Sequence, residues 1–298
     1  MLPTITELDA PVAALGECPV WSAVEGALYW VDIEGHAIHR HHLDSGDTTT
    51  RQMGGRPGSF TLTQQASTLL VAIEHKLVTL DWPSGTVEPF AELESAGTGN
   101  RLNDGKCDPA GRFVVGSMYA NTAAGNATGL LHQFTNTSTV AELRANIGVA
   151  NGLAFDPDRR LMYFADSPTE QVLVFDYDPS TGAVSDERLF FDYTAVPGKP
   201  DGACLDDDGC YWSASVYGWQ LLRITPNGGI DRAVQLPLQK PSMPCFGGPN
   251  LDIMFVTTIG ADGNTSSDSG RDGFTPGATL VIEGLGVRGR TEPVFDGP

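Results

Sequence analysis

The sequence predicts an all-β fold, a six-bladed β-propeller. Three observations predict it: an internal repeat, strand and turn signals along the whole chain, and no convincing helical period in any window of a dozen residues. A length of 298 residues is compatible with a single propeller domain spanning 1–298. The 35 glycines and 20 prolines are spread along the chain, as many short strands joined by tight turns require.

The repeat shows in segments of one form: a small or β-branched residue, an Asp or polar turn, then an aromatic-rich strand. They are PVWSAVEGALYWVDI from Pro19, TLTQQASTLLVAIE from Thr61, CDPAGRFVVGSMY from Cys107, AFDPDRRLMYFADS from Ala154, CLDDDGCYWSASV from Cys204 and CFGGPNLDIMFVTTI from Cys245. Just upstream of each copy lies one equivalent position, expected in a loop before an innermost strand: Glu17, Gly58, Asp104, Asn151, Asp201 and Ser242. These are 41–50 residues apart, enough for four short antiparallel strands per unit. In the first unit ALYWVDI, IHRHHLD and TTTRQM supply consecutive strands, and in the fourth LMYFADS, VLVFDYDP and RLFFDY do so. Leu43–Gly46 and Asp178–Gly182 carry hairpin turn chemistry. A blade cannot bury both faces alone, so the ring must close, with the N-terminal strand around Thr4–Asp9 completing the last blade.

Thirty-seven acidic against 18 basic residues, a formal charge of −19, make nucleic acid and anionic membranes poor partners. No stretch approaches the roughly 20 apolar residues that span a bilayer, and the N-terminus carries no secretory signal pattern. Five cysteines without a Cys-x-x-Cys pair argue against a disulfide framework or a structural zinc site, and a reducing cytoplasm is the expected location. Cys107, Cys204 and Cys245 share one repeat position and, with Cys210, are expected to pack as small hydrophobes; Cys18 stands beside Glu17.

The six equivalent positions should surround one end of the central channel, and four of them are Glu, Asp, Asn and Asp. Carboxylates crowded in a channel repel one another unless a cation or proton compensates. Oxygen ligands suit a hard divalent cation, and so few leave coordination positions open, as in a catalytic site. The competing reading is that Asp104-Gly105, Asn151-Gly152 and Asp201-Gly202 are ordinary hairpin turns. A Gly-x-Ser-x-Gly elbow is missing. His39 and His41 alternate on one strand with His42 on the other face, and are expected at a blade surface. Asp206–Asp208 is expected to be an acidic turn.

Several long motifs resemble the regucalcin/gluconolactonase family of sugar-lactone hydrolases: LGECPVW at 15–21, NRLNDGKCDPAGRFVVGSM at 100–118, NGLAFDPD at 151–158, PDGACLDDDG at 200–209, KPSMPCFGGPNLDIMFVTT at 240–258 and GLGVRG at 284–289. The resemblance covers nearly the full length. It implies a six-bladed propeller with one divalent metal (Ca²⁺, Mg²⁺, Mn²⁺, Zn²⁺ or Fe²⁺) held by Glu17, Asn151 and Asp201. It further implies Asn103 as a more distant metal or substrate contact, Arg101 as a ligand of substrate oxygens, and Asp104 lining the cavity. Two departures stand out. Cys18 replaces the family's usual Gly, and Tyr119, Ala120 and Asn121 replace a pair of acids that reach substrate in animal members, leaving Asn121 as a neutral substitute.

The activity implied is hydrolysis of a gluconolactone-, xylonolactone- or arabinonolactone-like aldonolactone, the metal acting as Lewis acid. Asp201 is expected to be the base, with Glu17 as fallback, and Arg101 and Asn103 orient the sugar. The alternatives are an arylesterase or phosphotriesterase, which would need a more apolar mouth and a His base, and a metal-binding propeller without catalysis.

Overall fold

The computed structural model describes residues 3–136, 140–261 and 270–297. Among these, 24 strands form six four-stranded antiparallel sheets, joined by turns and five short 3-10 segments. Each sheet is one blade, and one edge strand of each lies innermost. The inner strands are Gly16–Ser22, Pro57–Leu62, Asn100–Cys107, Ala150–Asp156, Lys199–Leu205 and Pro241–Gly247. Each packs against the next and the last against the first, so the ring is closed.

Burial explains why the middle strands read as unbroken apolar runs rather than alternating ones. Ala27–Asp32, Thr68–Ile73 and Tyr211–Val216 are buried along their whole length because both faces of a blade meet a neighbour. Successive side chains serve opposite neighbours. In the first blade Tyr29 and Val31 pack on Phe60, Val71 and Trp82 of the second, whereas Leu28 and Trp30 join Cys245 and Phe255 of the sixth. The other four blade junctions hold equivalent apolar clusters.

Thr4–Glu7 closes the ring as expected, pairing with Leu280–Glu283 as the outermost strand of the last blade. The C-terminal segment adds a second closure across the ends where inner strands exit. Gly289 bridges to Asp206, and Arg290 pairs with Asp156 and Asp158. Glu292 reaches the buried Lys106 at 2.7 Å, and Phe295, fully buried, packs with Phe90 and Phe134 while its N–H donates to the Leu62 carbonyl.

Three expectations need correction. His39 and His41 are not surface residues: both are buried, bonded through Nδ1 to Thr50 and Thr48, and His39 stacks on Trp30. Asp206 is more than an acidic turn. It is fully buried and accepts from Arg223 Nε (2.7 Å), Trp212 Nε1 (2.9 Å) and the Cys210 N–H (2.9 Å), just as Asp108 binds Arg112 and Asp156 binds Arg159 at the same repeat position. The third concerns the equivalent polar positions, which lie inside the inner strands and not in loops ahead of them. All five cysteines are buried and unpaired, in line with a packing role.

Candidate functional site

Every inner strand takes a one-residue register shift against its neighbour near its start: between Glu17 and Val20, Pro57 and Ser59, Leu102 and Gly105, Asn151 and Ala154, Pro200 and Ala203, and Pro241 and Met243. The six positions sit at or beside these bulges: Glu17 and Asn151 are the last paired residues before the shift, while Gly58, Asp104, Asp201 and Ser242 fall within it. A bulge leaves a residue out of the ladder and re-aims its side chain, here at one end of the channel. Asn151-Gly152, Asp201-Gly202 and Asp104-Gly105 are therefore strand residues, and the hairpin-turn reading of these dipeptides fails.

Local anchors hold the bulges. Asp32, at the end of the second strand, accepts from the Ala14 and Leu15 N–H groups, both at 3.0 Å, just ahead of Glu17. Asp166 does the same for Gly148 (3.1 Å) and Val149 (2.9 Å) ahead of Asn151. The residue after two of the three candidate ligands is left-handed: Cys18, after Glu17, has φ +47° and Gly152, after Asn151, +65°. Glycine suits such a conformation, and a Cβ at Gly152 would collide with the Tyr211 hydroxyl at 2.4 Å. Cys18 tolerates it because its side chain ties two blades together. Sγ donates to the Phe60 carbonyl and accepts from the Phe60 N–H, each at 3.4 Å. Burial pushes its thiol pKa up, so it stays protonated and apolar in character.

Glu17, Arg101, Asn103, Asp104, Asn151 and Asp201 are all buried. Arg101 Nη1 donates to Asn103 Oδ1 (2.7 Å) and to the Leu102 carbonyl (3.0 Å). Asn103 Nδ2 donates to Asn151 Oδ1 (3.2 Å) and the Ala150 carbonyl (2.9 Å). Asp104 Oδ2 accepts from the Leu153 N–H (3.0 Å), while its buried Oδ1 has no hydrogen-bond partner. The blades thus bring together all the sequence-predicted site residues except Asn121. It stands exposed, two residues beyond the Tyr119 that pairs with Asn100, capping the short turn Thr122–Ala124.

The charges are out of balance. Burial, then Asp201 and Asp104, hold the Glu17 carboxyl well above the usual carboxylate range, opposed only in part by the Cys18 N–H and Arg101. Burial and Asp104 do the same to Asp201. Burial raises Asp104 too, against the Leu153 N–H and Lys106. Arg101 is pushed down to about 10 by burial and by the neighbouring Arg56, itself bound to Glu74 at 2.9 Å.

A divalent cation fits this donor set. It would relieve the mutual repulsion of Glu17 and Asp201, with the Asn151 amide oxygen beside them and an orphaned Asp104 oxygen in the same neighbourhood. Among the described residues no three His, Cys, Asp or Glu side chains converge as a metal cluster by themselves, so such a site depends on the amide oxygen. The hollow of about 210 Å³ at the opposite channel mouth, lined by Lys106, Phe155, Arg290 and Glu292, contains none of the predicted residues.

These directions set a pH dependence. Carboxyls whose folded pKa is raised contribute stability below their unfolded pKa and lose it as pH rises through the folded value. Chelator-treated protein is therefore expected to lose thermal stability as pH rises above the ordinary carboxylate range. The loss should shrink in Glu17→Gln, as measured by melting temperature against pH.

Sequence reasoning missed Ser167, the Asp32 and Asp166 anchors, the Arg56–Glu74 pair and the buried Lys106. Asp32 and Asp166 had a signal, as both end the second strand of their unit in YWVDI and YFADS. The others had none: Lys106 pairs with Glu292 of the C-terminal segment, Ser167 donates to Pro200 of the next blade, and Arg56 meets Glu74 across its own blade at a separation of 18 residues.

Residues 15–260 match the family model described as the SMP-30/gluconolactonase/LRE-like region. The chain is 33% identical to 6-deoxy-6-sulfogluconolactonase of Pseudomonas putida over 96% of both chains. It is also 33% identical to pentonolactonase XacC of Haloferax volcanii, over 98% of this chain and 97% of that protein. The crystal structure of regucalcin, a calcium-binding protein from Agrobacterium tumefaciens, superposes with a TM-score of 0.88 at 27% identity, covering 97% of this chain and 96% of that one.

Proposed function

The chain belongs to the SMP-30/gluconolactonase/LRE-like family, and we propose that it hydrolyses a sugar aldonolactone to the aldonic acid at the axial cluster of Glu17, Asn151 and Asp201, with one divalent cation. Two full-length relatives carry lactonase names, which supports lactone hydrolysis in general. The observation that carries the metal-dependent reading is the group of buried, mutually repelling carboxylates at one channel end, with an unpartnered Asp104 oxygen among them.

Glu17, Asn151 and Asp201 would hold the cation, which when bound supplies Lewis-acid polarisation of the lactone carbonyl. Asp201 accepts the proton of the attacking water as its oxygen bonds to the carbonyl carbon. That proton then passes to the ring oxygen when the C–O bond breaks, so the product is a hydroxy acid. Glu17 is the alternative acceptor. Arg101 is suited to hold sugar oxygens: among the described residues it has no carboxylate within ion-pair distance, and only its Nη1 bonds to protein. Asn103, fixed by Arg101, lines the same space, and Asn121 reaches the substrate only from the rim. A phosphotriesterase-like reaction with a His base has no support, since none of the six histidines lies on an inner strand.

The test is acid release from a panel of pentono- and hexonolactones, with metal-loaded and chelated protein. Hydrolysis above the spontaneous rate that chelation abolishes and Mn²⁺ or Ca²⁺ restores is the expected result. No acceleration on any aldonolactone overturns the reading, and full activity after chelation overturns its metal.

A further inference from the structure

Ser167 occupies the first position of the short 3-10 turn Ser167–Thr169 and is buried. Its hydroxyl joins the two blades that carry Asn151 and Asp201. Asn151 Nδ2 donates to Ser167 Oγ at 2.8 Å, and Ser167 Oγ donates its single proton to the Pro200 carbonyl at 2.6 Å. Pro200 immediately precedes Asp201. With its proton committed, the hydroxyl can only accept from Asn151.

The other side of the Asn151 amide is equally constrained. Its Oδ1 accepts from Asn103 Nδ2, and Asn103 is itself oriented because Arg101, a pure donor, occupies Asn103 Oδ1. Rotating the Asn151 amide by half a turn would set its oxygen against the lone pairs of Ser167 and its NH₂ against that of Asn103. Both hydrogen bonds would be lost and replaced by like-against-like contacts in a buried place.

We infer that Ser167 is a positioning residue that makes Asn151 present oxygen, and not NH₂, toward Glu17 and Asp201. The inference rests on the axial metal reading above. An amide is the one ligand of that set with a wrong face, since both faces of a carboxylate are oxygen. The donor set therefore needs an orienting group at Asn151 and at neither acid.

Mn²⁺ affinity, measured by calorimetry without substrate, tests it in a double-mutant cycle. Ser167→Ala is expected to weaken Mn²⁺ binding by about ten- to a hundredfold, the usual effect of removing a group that orients a metal ligand. In the Asn151→Asp background, where no orientation is needed, the same change is expected to cost less than about threefold. A general loosening of the blades would weaken binding equally in both backgrounds. An equal loss in the two backgrounds, or no loss in either, overturns the role of Ser167. Wild-type protein that binds neither Mn²⁺ nor Ca²⁺ overturns the metal reading, and this inference with it.

Discussion

Asp201→Asn is expected to lower lactone hydrolysis by about a thousandfold without unfolding the protein. The substitution keeps the shape of the side chain and its place at the bulge between Pro200 and Ala203. It removes the proposed proton acceptor, an effect of about 10²–10⁴ for general base catalysis. It also removes one of the two charged oxygen donors from the proposed metal set. Stability should move the other way. Asp201 and Asp104 both hold the Glu17 carboxyl above its ordinary range, so deleting one charge relieves a repulsion. The metal-free variant should melt at or above the wild-type temperature. Steady-state acid release and a melting curve of chelated protein check both halves. Retention of even a tenth of the wild-type kcat would remove Asp201 from the base role, and a sharp fall in melting temperature would attribute the lost activity to unfolding.

Phe295→Ala is expected to cost about 3–5 kcal/mol of stability, the usual range for a fully buried aromatic. Phe295 is the anchor of the C-terminal strap. It is 0% exposed and stacks on Phe134 with ring centroids 6.0 Å apart, edge-on to Phe90 at 6.1 Å. It fills the junction of the second and third blades from a segment outside both, so little can collapse into the space it leaves. Its neighbour Val294 is 36% exposed, and Val294→Ala should change stability by no more than about 0.5 kcal/mol. Urea unfolding of the two variants decides the matter. Equal small effects would mean that the strap lies on the propeller without holding it.

The strap had no sequence signal: RTEPVF, from Arg290 to Phe295, lies outside the six repeat segments and carries no strand or turn pattern of theirs. Its anchors depend on cavities that exist only between assembled blades. His39 and His41 were misplaced for a related reason. Alternation along Ala37–His42 assigned them correctly to one face, but burial of that face follows from the strand packed beside it. Cys18 is the converse case. The sequence flagged it as a departure from glycine, and only the contact with Phe60 in the next blade explains why a side chain is tolerated at φ +47°.

The number of blades, their order, the closing N-terminal strand and the identity of the polar residues at the repeat position are all legible in the amino-acid order. These are legible because a repeat writes the same short-range pattern six times, and a position shared by every unit is shared in space. What depends on the assembled ring is that those residues lie within strands at or beside bulges, that Asp104 keeps an oxygen without a partner, and that Asn151 is held by Ser167 from one side and Asn103 from the other. Each of these joins residues 16 to 49 positions apart, within one blade for Ser167 and Asn151 and between blades for Asp104 and Leu153, or depends on a bulge whose register no local pattern encodes. Propensity and periodicity act within a few residues, whereas the direction of a buried amide or the charge balance of an axial cavity is set by whatever the ring brings opposite it.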